Sequence, residues 1–291
     1  MKILAPLSDI DHFEKLLNAG AGEFYCGMVP YEWIEKYGFD LNRREFRSNA
    51  AFNSITSMKI LKEKANIYNI PIKITLNSLL YSQSQYEMIL NLIKQYMELG
   101  FDTYIIADIG LFVFLRENGI NCKVHISGEM PVINTKAIDL LMQYGFTRII
   151  FPRKTSIADM NDCIKKYGSK LEYESFILNE SCVFTGAFCN AIHCDELKNA
   201  CYLPYKFVLI NEENNKFHLF YRYLQMVRSQ NIKKENPFAD QRIIGDSGCG
   251  LCCIKQLNEI GITTLKVVGR GRDVNTLVDD IASINKALQF V

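Results

Sequence analysis

Short apolar runs alternate with longer amphipathic runs along nearly the whole chain. The short runs have strand length and strand composition, at residues 3–7, 23–28, 72–76, 103–107, 123–126, 148–152, 171–178 and 264–268. Between them, apolar positions recur at helical spacing. This predicts helices at 10–19, 55–68, 83–99, 111–118, 135–144, 156–167, 252–260 and 274–288. Strands that alternate with helices call for a parallel sheet, because a parallel return needs a crossover. Eight such units predict a closed TIM-type (β/α)8 barrel of the α/β class rather than an open sheet.

The alternation breaks once, after the seventh strand. Residues 179–246 form a cysteine-rich insertion within a single barrel domain spanning 1–291. Inside it, runs at 205–210 and 216–221 flank Asn211-Glu212-Glu213-Asn214-Asn215, which predicts a β-hairpin. An insertion after a strand falls at the C-terminal mouth of a barrel, where such folds place their active sites.

Charge adds little. The 291 residues carry a formal charge of +1, so no broad basic field announces nucleic acid, although a local patch is compatible with it. No apolar run is long enough for a membrane span. The N-terminal MKILAPLSDIDHF lacks the basic start, apolar core and cleavage site of a secretory signal, so a cytoplasmic location is expected.

That expectation changes how the ten cysteines are read. Cys182, Cys189, Cys194 and Cys201 lie in one segment, and Cys249, Cys252 and Cys253 in GCGLCC. Cys26, Cys122 and Cys163 sit in apolar or helical segments and read as small buried residues. Reduced, clustered thiols in a cytosolic chain more often bind metal or do redox work than form disulfides. Structural zinc sites favour close C-x2-C pairs, and the spacings from Cys182 to Cys189, to Cys201 and to Cys252 are wide. An iron–sulfur cluster tolerates them, since its thiolates need only converge in space.

Several segments together resemble peptidase family U32, the collagenase-like peptidases. AGAGEFYCG, ITLN, GFDTYIIADIGL, HISGEMPVIN and FPRK follow the family's order. ESFILNESCVFTGAFC is similar to its Glu-x-Phe…Cys…Gly-x-Cys signature, and CYLPYKF and LCCIKQLNEIGITTLKVVGRGR resemble its later motifs. The resemblance implies a 4Fe–4S cluster held by Cys182, Cys189, Cys201 and Cys252. Cys194 competes with Cys201, and Cys249 or Cys253 with Cys252. It further implies oxygen-independent hydroxylation of a small molecule or an RNA base, as in the short members of the anaerobic ubiquinone-hydroxylation type, often with a paralogous partner subunit. The chain departs from the family pattern at several places. Asn179 and Glu180 stand where a glycine usually precedes the first ligand, and Tyr202 stands where arginine usually follows the third. Glu129 replaces glutamine, Lys154 replaces glutamate, and Val268 replaces the glutamate of Glu-Gly-Arg.

Polar residues at strand C-termini are the remaining candidates. His125, Glu129, Arg153 and Glu174 are expected to be catalytic, and Asn77, Asp108 and Arg270 to bind substrate. His125 suits proton transfer near neutral pH. Arg153 and Arg270 suit a carboxylate or phosphate, or an internal salt bridge to Glu129 or Glu174. Glu174 alternatively orients the cluster loop. Arg43, Arg44 and Arg47 read as a solvated loop face, with a grip on an anionic substrate as the alternative. Three functions therefore compete. The first is an iron–sulfur enzyme or enzyme subunit. The second is a protease, although no His-Glu-x-x-His run or serine-nucleophile motif is present. The third is a non-catalytic, cluster-binding partner.

Overall fold

A computed structural model describes residues 1–38, 41–43, 50–130, 132, 134–179, 186, 193–194, 198–199 and 248–291. Eight parallel strands close into a barrel. In chain order they are β1 (Lys2–Pro6), β2 (Glu23–Cys26), β3 (Ile72–Leu76), β4 (Thr103–Ile106), β5 (Lys123–Ile126), β6 (Arg148–Ile150), β7 (Glu172–Leu178) and, beyond the insertion, β10 (Thr264–Val267). Around the barrel the order is β1-β10-β7-β6-β5-β4-β3-β2, so β2 stands diametrically opposite β6. The (β/α)8 expectation is met strand for strand.

The helices form the outer layer: α1 (Phe13–Ala19), α2 (Tyr31–Tyr37), α3 (Ile55–Ile67), α4 (Gln83–Glu98), α5 (Ile109–Glu117), α6 (Thr135–Met142), α7 (Ile157–Tyr167), α8 (Ile254–Glu259) and α9 (Val274–Leu288). Alternation along each strand divides the side chains between two cores. Outward residues such as Phe24, Ile74, Tyr104, Val124, Ile149 and Leu265 pack against the helices in one large apolar cluster. Inward residues Leu4, Tyr25, Ile105 and Ile150, with Phe176 against them, form a small separate cluster inside the cylinder. Helix starts are locally encoded. Ser54, Asp108, Asn134, Ser156 and Asp273 each accept a hydrogen bond from an amide in the first turn, worth about 1 kcal/mol apiece.

Helix α2 has no counterpart in the sequence reading. It has seven residues and buries only Trp33, which is too little for periodicity to register. Two further strands, β8 (His193–Cys194) and β9 (Lys198–Asn199), pair antiparallel within the insertion. The hairpin expected at 205–210 and 216–221 lies outside the described residues, as do Cys182, Cys189 and Cys201.

The neck of the insertion is well defined. Strand β7 slips register against β10 between Lys266 and Val267, so that Phe176 and Leu178 face consecutive partners and Ile177 is the extra residue. Bulges of this kind re-aim a strand end. The freed Ile177 carbonyl accepts from Gly250 N at 2.8 Å, and Asn179 N donates to the Gly248 carbonyl at 2.8 Å. Leu178 and Cys249 form an antiparallel bridge between these two bonds. The chain thus leaves the barrel and returns to it side by side.

Candidate active site at the barrel mouth

Strand alternation sends an unusual number of charges inward. At the N-terminal end, Arg148 reaches across the barrel from β6 to β2 and donates to Glu23 Oε2 at 2.8 Å. The same Nη1 donates to Glu174 Oε2 at 3.0 Å, and Nε to Glu172 Oε2 at 2.7 Å. The Lys266 ammonium lies 3.1 Å from Glu174 Oε1 and 4.4 Å from the Tyr25 ring centroid, in cation–π contact. Above it, Arg270 donates to Thr75 Oγ1 at 3.0 Å and to the Arg43 carbonyl at 2.7 Å. A ladder of Glu23, Arg148, Glu174, Lys266, Tyr25 and Arg270 therefore runs from the floor of the barrel to its mouth.

Burial tunes these groups. For Glu23, burial works to raise the carboxyl, but the Arg148 hydrogen bond and the charges of Lys73, Arg148 and Lys2 outweigh it and hold the pKa below the ordinary value. Burial pushes the Lys266 and Lys73 ammonium groups down, against the pull of Glu174 and Glu23 respectively. His125 lies in the same interior, 3% exposed, and its Nδ1 has no hydrogen-bond partner among the described residues. Burial first, then the charges of Arg148, Lys73, Lys266 and Lys123, hold its pKa well below 6.5. The imidazole is therefore neutral at pH 7, a hydrogen-bonding group rather than a titrating one.

This has a testable consequence for stability. In the unfolded chain His125 takes up a proton near pH 6.5, while in the folded chain it resists doing so. Stability is consequently lost as pH falls from about 6.5 toward the folded value, by at most ~1.4 kcal/mol per pH unit. His125→Gln should flatten that decline. Urea midpoints at pH 6.5 and 5.5 would show it, and identical slopes in the two proteins would contradict it.

A second group sits just beyond the strand ends. Arg153, following β6, is ion-paired through Nη2 to Glu129 Oε1, following β5. Arg43, in the connection between α2 and α3, approaches Glu129 Oε2 at 3.5 Å. The side chains of Arg43, Glu129 and Arg153 are only 10%, 6% and 5% exposed. The solvated-loop expectation is thus corrected for Arg43, which is drawn inward by a buried carboxylate; Arg44 and Arg47 lie outside the described residues. Asn77 donates nothing from its side chain among these contacts; its amide N–H donates to Asn42 Oδ1 at 2.9 Å, and its own buried Oδ1 has no hydrogen-bond partner among the described residues.

Gly186 meets this group from above. It is buried, and a Cβ placed on it would run into the Glu129 carboxylate and the Glu129 Cα. Gly186 belongs to the segment between Cys182 and Cys189. Only glycine permits so close an approach.

The site residues expected from sequence therefore divide. Glu129, Arg153 and Arg270 gather at the mouth with Asn77. Glu174 is fully buried below them, with one oxygen on Arg148 and the other on Lys266. Asp108 is used by the backbone: Oδ1 accepts from Gly110 and Leu111 amides, capping α5, and Oδ2 accepts from Tyr81 N and Tyr86 Oη. Arg153 and Arg270 differ in the salt bridges expected of them, since Arg153 pairs with Glu129 while Arg270 binds a hydroxyl and a carbonyl. Sequence reasoning missed Lys266, Tyr25, Thr75 and Arg148, and misplaced Arg43. The signal for Lys73 and Lys266 was available: each is a lone lysine between two apolar strand residues, which in a barrel means a charge facing inward.

Of the expected ligands, Cys252 is described and exposed, as is Cys249; Cys253 is half-buried. The Cys252 and Cys253 sulfurs lie 3.8 Å apart. Among the described residues, no three potential ligands converge as a metal site. The donor chemistry nevertheless fits a thiolate-ligated group. Several accessible thiols stand at the neck, where the backbone bonds described above also bring in the strand leading to Cys182. By contrast, Cys26, Cys122 and Cys163 are buried, and burial pushes the Cys163 thiol up to about 11.

A closed parallel barrel whose polar groups collect beyond the strand C-termini defines a TIM-type scaffold with its site at the mouth. No helix among the described residues is long and apolar enough to cross a membrane. The chain belongs to peptidase family U32, whose model matches residues 8–289. Among curated proteins it is similar to tRNA hydroxylation protein P of Helicobacter pylori, 22% identical over 222 residues, covering 74% of this chain and 49% of that protein. It is also similar to tRNA hydroxylation protein P of Escherichia coli, 27% identical over 97 residues, covering 33% of this chain and 21% of that protein. The chain thus spans half or less of the length of these relatives. A solved U32 peptidase structure matches at 12% identity over 92% of this chain and 94% of that one, with a TM-score of 0.49.

Proposed function

We propose that this chain is an iron–sulfur protein of oxygen-independent hydroxylation, acting on a tRNA base. The observation that carries the reading is the seating of Gly186, which lies between Cys182 and Cys189 in sequence, on the Glu129 carboxylate of the ion pair at the barrel mouth. Family membership and the tRNA hydroxylation relatives support the reaction class.

Cys182, Cys189, Cys201 and Cys252 would hold a 4Fe–4S cluster, with Cys194 and Cys249 or Cys253 as the competing donors. When bound, such a cluster supplies electron transfer at a potential set by its surroundings. The chain's own groups do the recognition. Arg43, Arg153 and Arg270 are the cationic groups gathered at the mouth toward a polyanion. Glu129, fixed by Arg153 and Arg43, presents carboxylate oxygens to an N–H or O–H of the substrate. Asn77 offers its amide oxygen. Neutral His125 accepts or donates one hydrogen bond in the barrel interior. The interior excludes water through Tyr25, Ile105, Ile150 and Phe176.

The peptidase reading finds less support. A cysteine nucleophile needs a lowered pKa; among the described thiols, Cys122, Cys163 and Cys253 are raised, with burial the first cause in each.

Anaerobically purified protein, incubated with unmodified tRNA and either an organic hydroxyl donor or water plus a two-electron acceptor, should yield a nucleoside carrying one added oxygen by mass spectrometry. Glu129→Gln should retain its iron and lose product on the order of 10²-fold, the scale of a positioned acid–base group. Iron-loaded protein that gives no such product, alone or with a paralogous partner, would overturn the reading. Casein digestion that depends on one cysteine would replace it with the peptidase.

A further inference from the structure

Asn179 is the residue on which the insertion turns. Its φ of 61° places it in the left-handed region, where a non-glycine residue is uncommon and asparagine is among the best tolerated. Glycine in this conformation would satisfy the backbone and nothing else. Asparagine adds a side chain, and that side chain is used. Asn179 Nδ2 donates to Asp280 Oδ2 at 2.6 Å, a short, charge-assisted bond.

Asp280 is itself out of place. It lies in α9 among Val274, Leu277, Ile281 and Ile284, on the helix face that packs into the core, and it is 0% exposed. A carboxylate there is costly unless its oxygens are engaged. Asn179 engages one of them.

The same residue holds the neck. Asn179 N donates to the Gly248 carbonyl, and Leu178 bridges to Cys249. Cys182 follows Asn179 by three residues, a reach of at most about 10–11 Å. On the other side, Cys249 is fixed by the bridge, and Cys252 and Cys253 follow in the 3-10 turn Leu251–Cys253. The chain between the two sides is long, and closing it costs entropy that only fixed contacts at its base can offset.

We propose that Asn179 and Asp280 form a positioning clasp, anchoring the Cys182 segment to a core helix so that its thiol meets those of the Cys249–Cys253 knot. The inference rests on reading these cysteines as one ligand set. It assigns a positioning task to two residues outside the proposed ligand set.

The test needs a readout that does not depend on activity. Iron-free protein is treated with dibromobimane, which bridges two thiols only when they lie close, and bridges are mapped by mass spectrometry. Wild type should link Cys182 to Cys249 or Cys252. Asn179→Gly, which keeps the backbone conformation, and Asp280→Ala should each lower that yield roughly tenfold, the population shift expected from losing one hydrogen bond to a charged group. Asp280→Asn, which keeps an acceptor oxygen, should restore most of it. If Asp280→Ala fails to fold, Asn179→Gly carries the comparison. A wild type that forms no such bridge, or a folded Asn179→Gly that bridges as well as wild type, overturns the clasp. Iron analysis of anaerobic preparations separates the two readings. Bridging that depends on the clasp in a wild type without iron would keep the clasp and sink the cluster.

Discussion

Methionine at Arg148 should destabilise the barrel by about 3–5 kcal/mol, the cost of removing one partner from a buried ion group. Arg148 is 4% exposed and contacts Glu23 and Glu174, which are 2% and 0% exposed. Without it, two carboxylates remain in the barrel interior with only lysine partners, Lys73 and Lys2 for Glu23 and Lys266 for Glu174, among the described ion pairs. The melting temperature should fall by roughly 10 °C. The acid limb should change as well. Glu23 has a folded pKa below its ordinary 4.5, so it contributes stability that is present above about pH 4.5 and lost as pH falls through the folded value. Removing Arg148 takes away its main lowering partner and leaves burial to raise the carboxyl, so stability should begin to suffer at higher pH. Adding Glu23→Gln and Glu174→Gln to the methionine variant should recover part of the loss. Thermal melts between pH 4 and 7 would decide, and a methionine variant within 1–2 °C of wild type would show that the ladder is not held together by charge.

Alanine at Cys182 or Cys189 should remove the chromophore altogether. Anaerobically prepared wild type should be brown, with about four irons and four sulfides per chain. Alanine at Cys26 or Cys163 should leave that content unchanged, because both are buried in the outer core, away from the neck. Alanine at Cys252 should act like the first pair unless Cys249 or Cys253 substitutes for it, and the 3.8 Å separation of Cys252 and Cys253 makes such substitution short in distance. Iron and sulfide analysis with electron paramagnetic resonance reads all five variants. Colourless wild type carrying zinc would end the cluster reading, and iron retained in both Cys182 and Cys189 variants would end the ligand choice.

The barrel was legible because its evidence is repetitive. Eight apolar runs such as ILAPL and IKITL each sit before an amphipathic run, and a mistake at one boundary does not disturb the other seven. The predicted ends run a residue or two long at β2, β4 and β6, where the apolar pattern outlasts the hydrogen-bonded ladder. The mouth was half legible. Glu129, Arg153 and Arg270 stand at strand ends, a position that can be counted from sequence. Asp108 stands at such an end too, but there the same aspartate serves as a helix cap, and sequence does not say which task claims it. Arg148 and Glu23 lie 125 residues apart. They meet because β6 faces β2 across the closed cylinder, a relation that no local pattern contains. Arg43 was misjudged for a similar reason: three arginines in a polar stretch look solvated until a buried carboxylate is found beneath one of them.

The guanidinium stretched from β6 to β2 is also a tie-bar. It fastens opposite walls of the cylinder, so neither wall can yield at that end without breaking the same set of charge-assisted bonds.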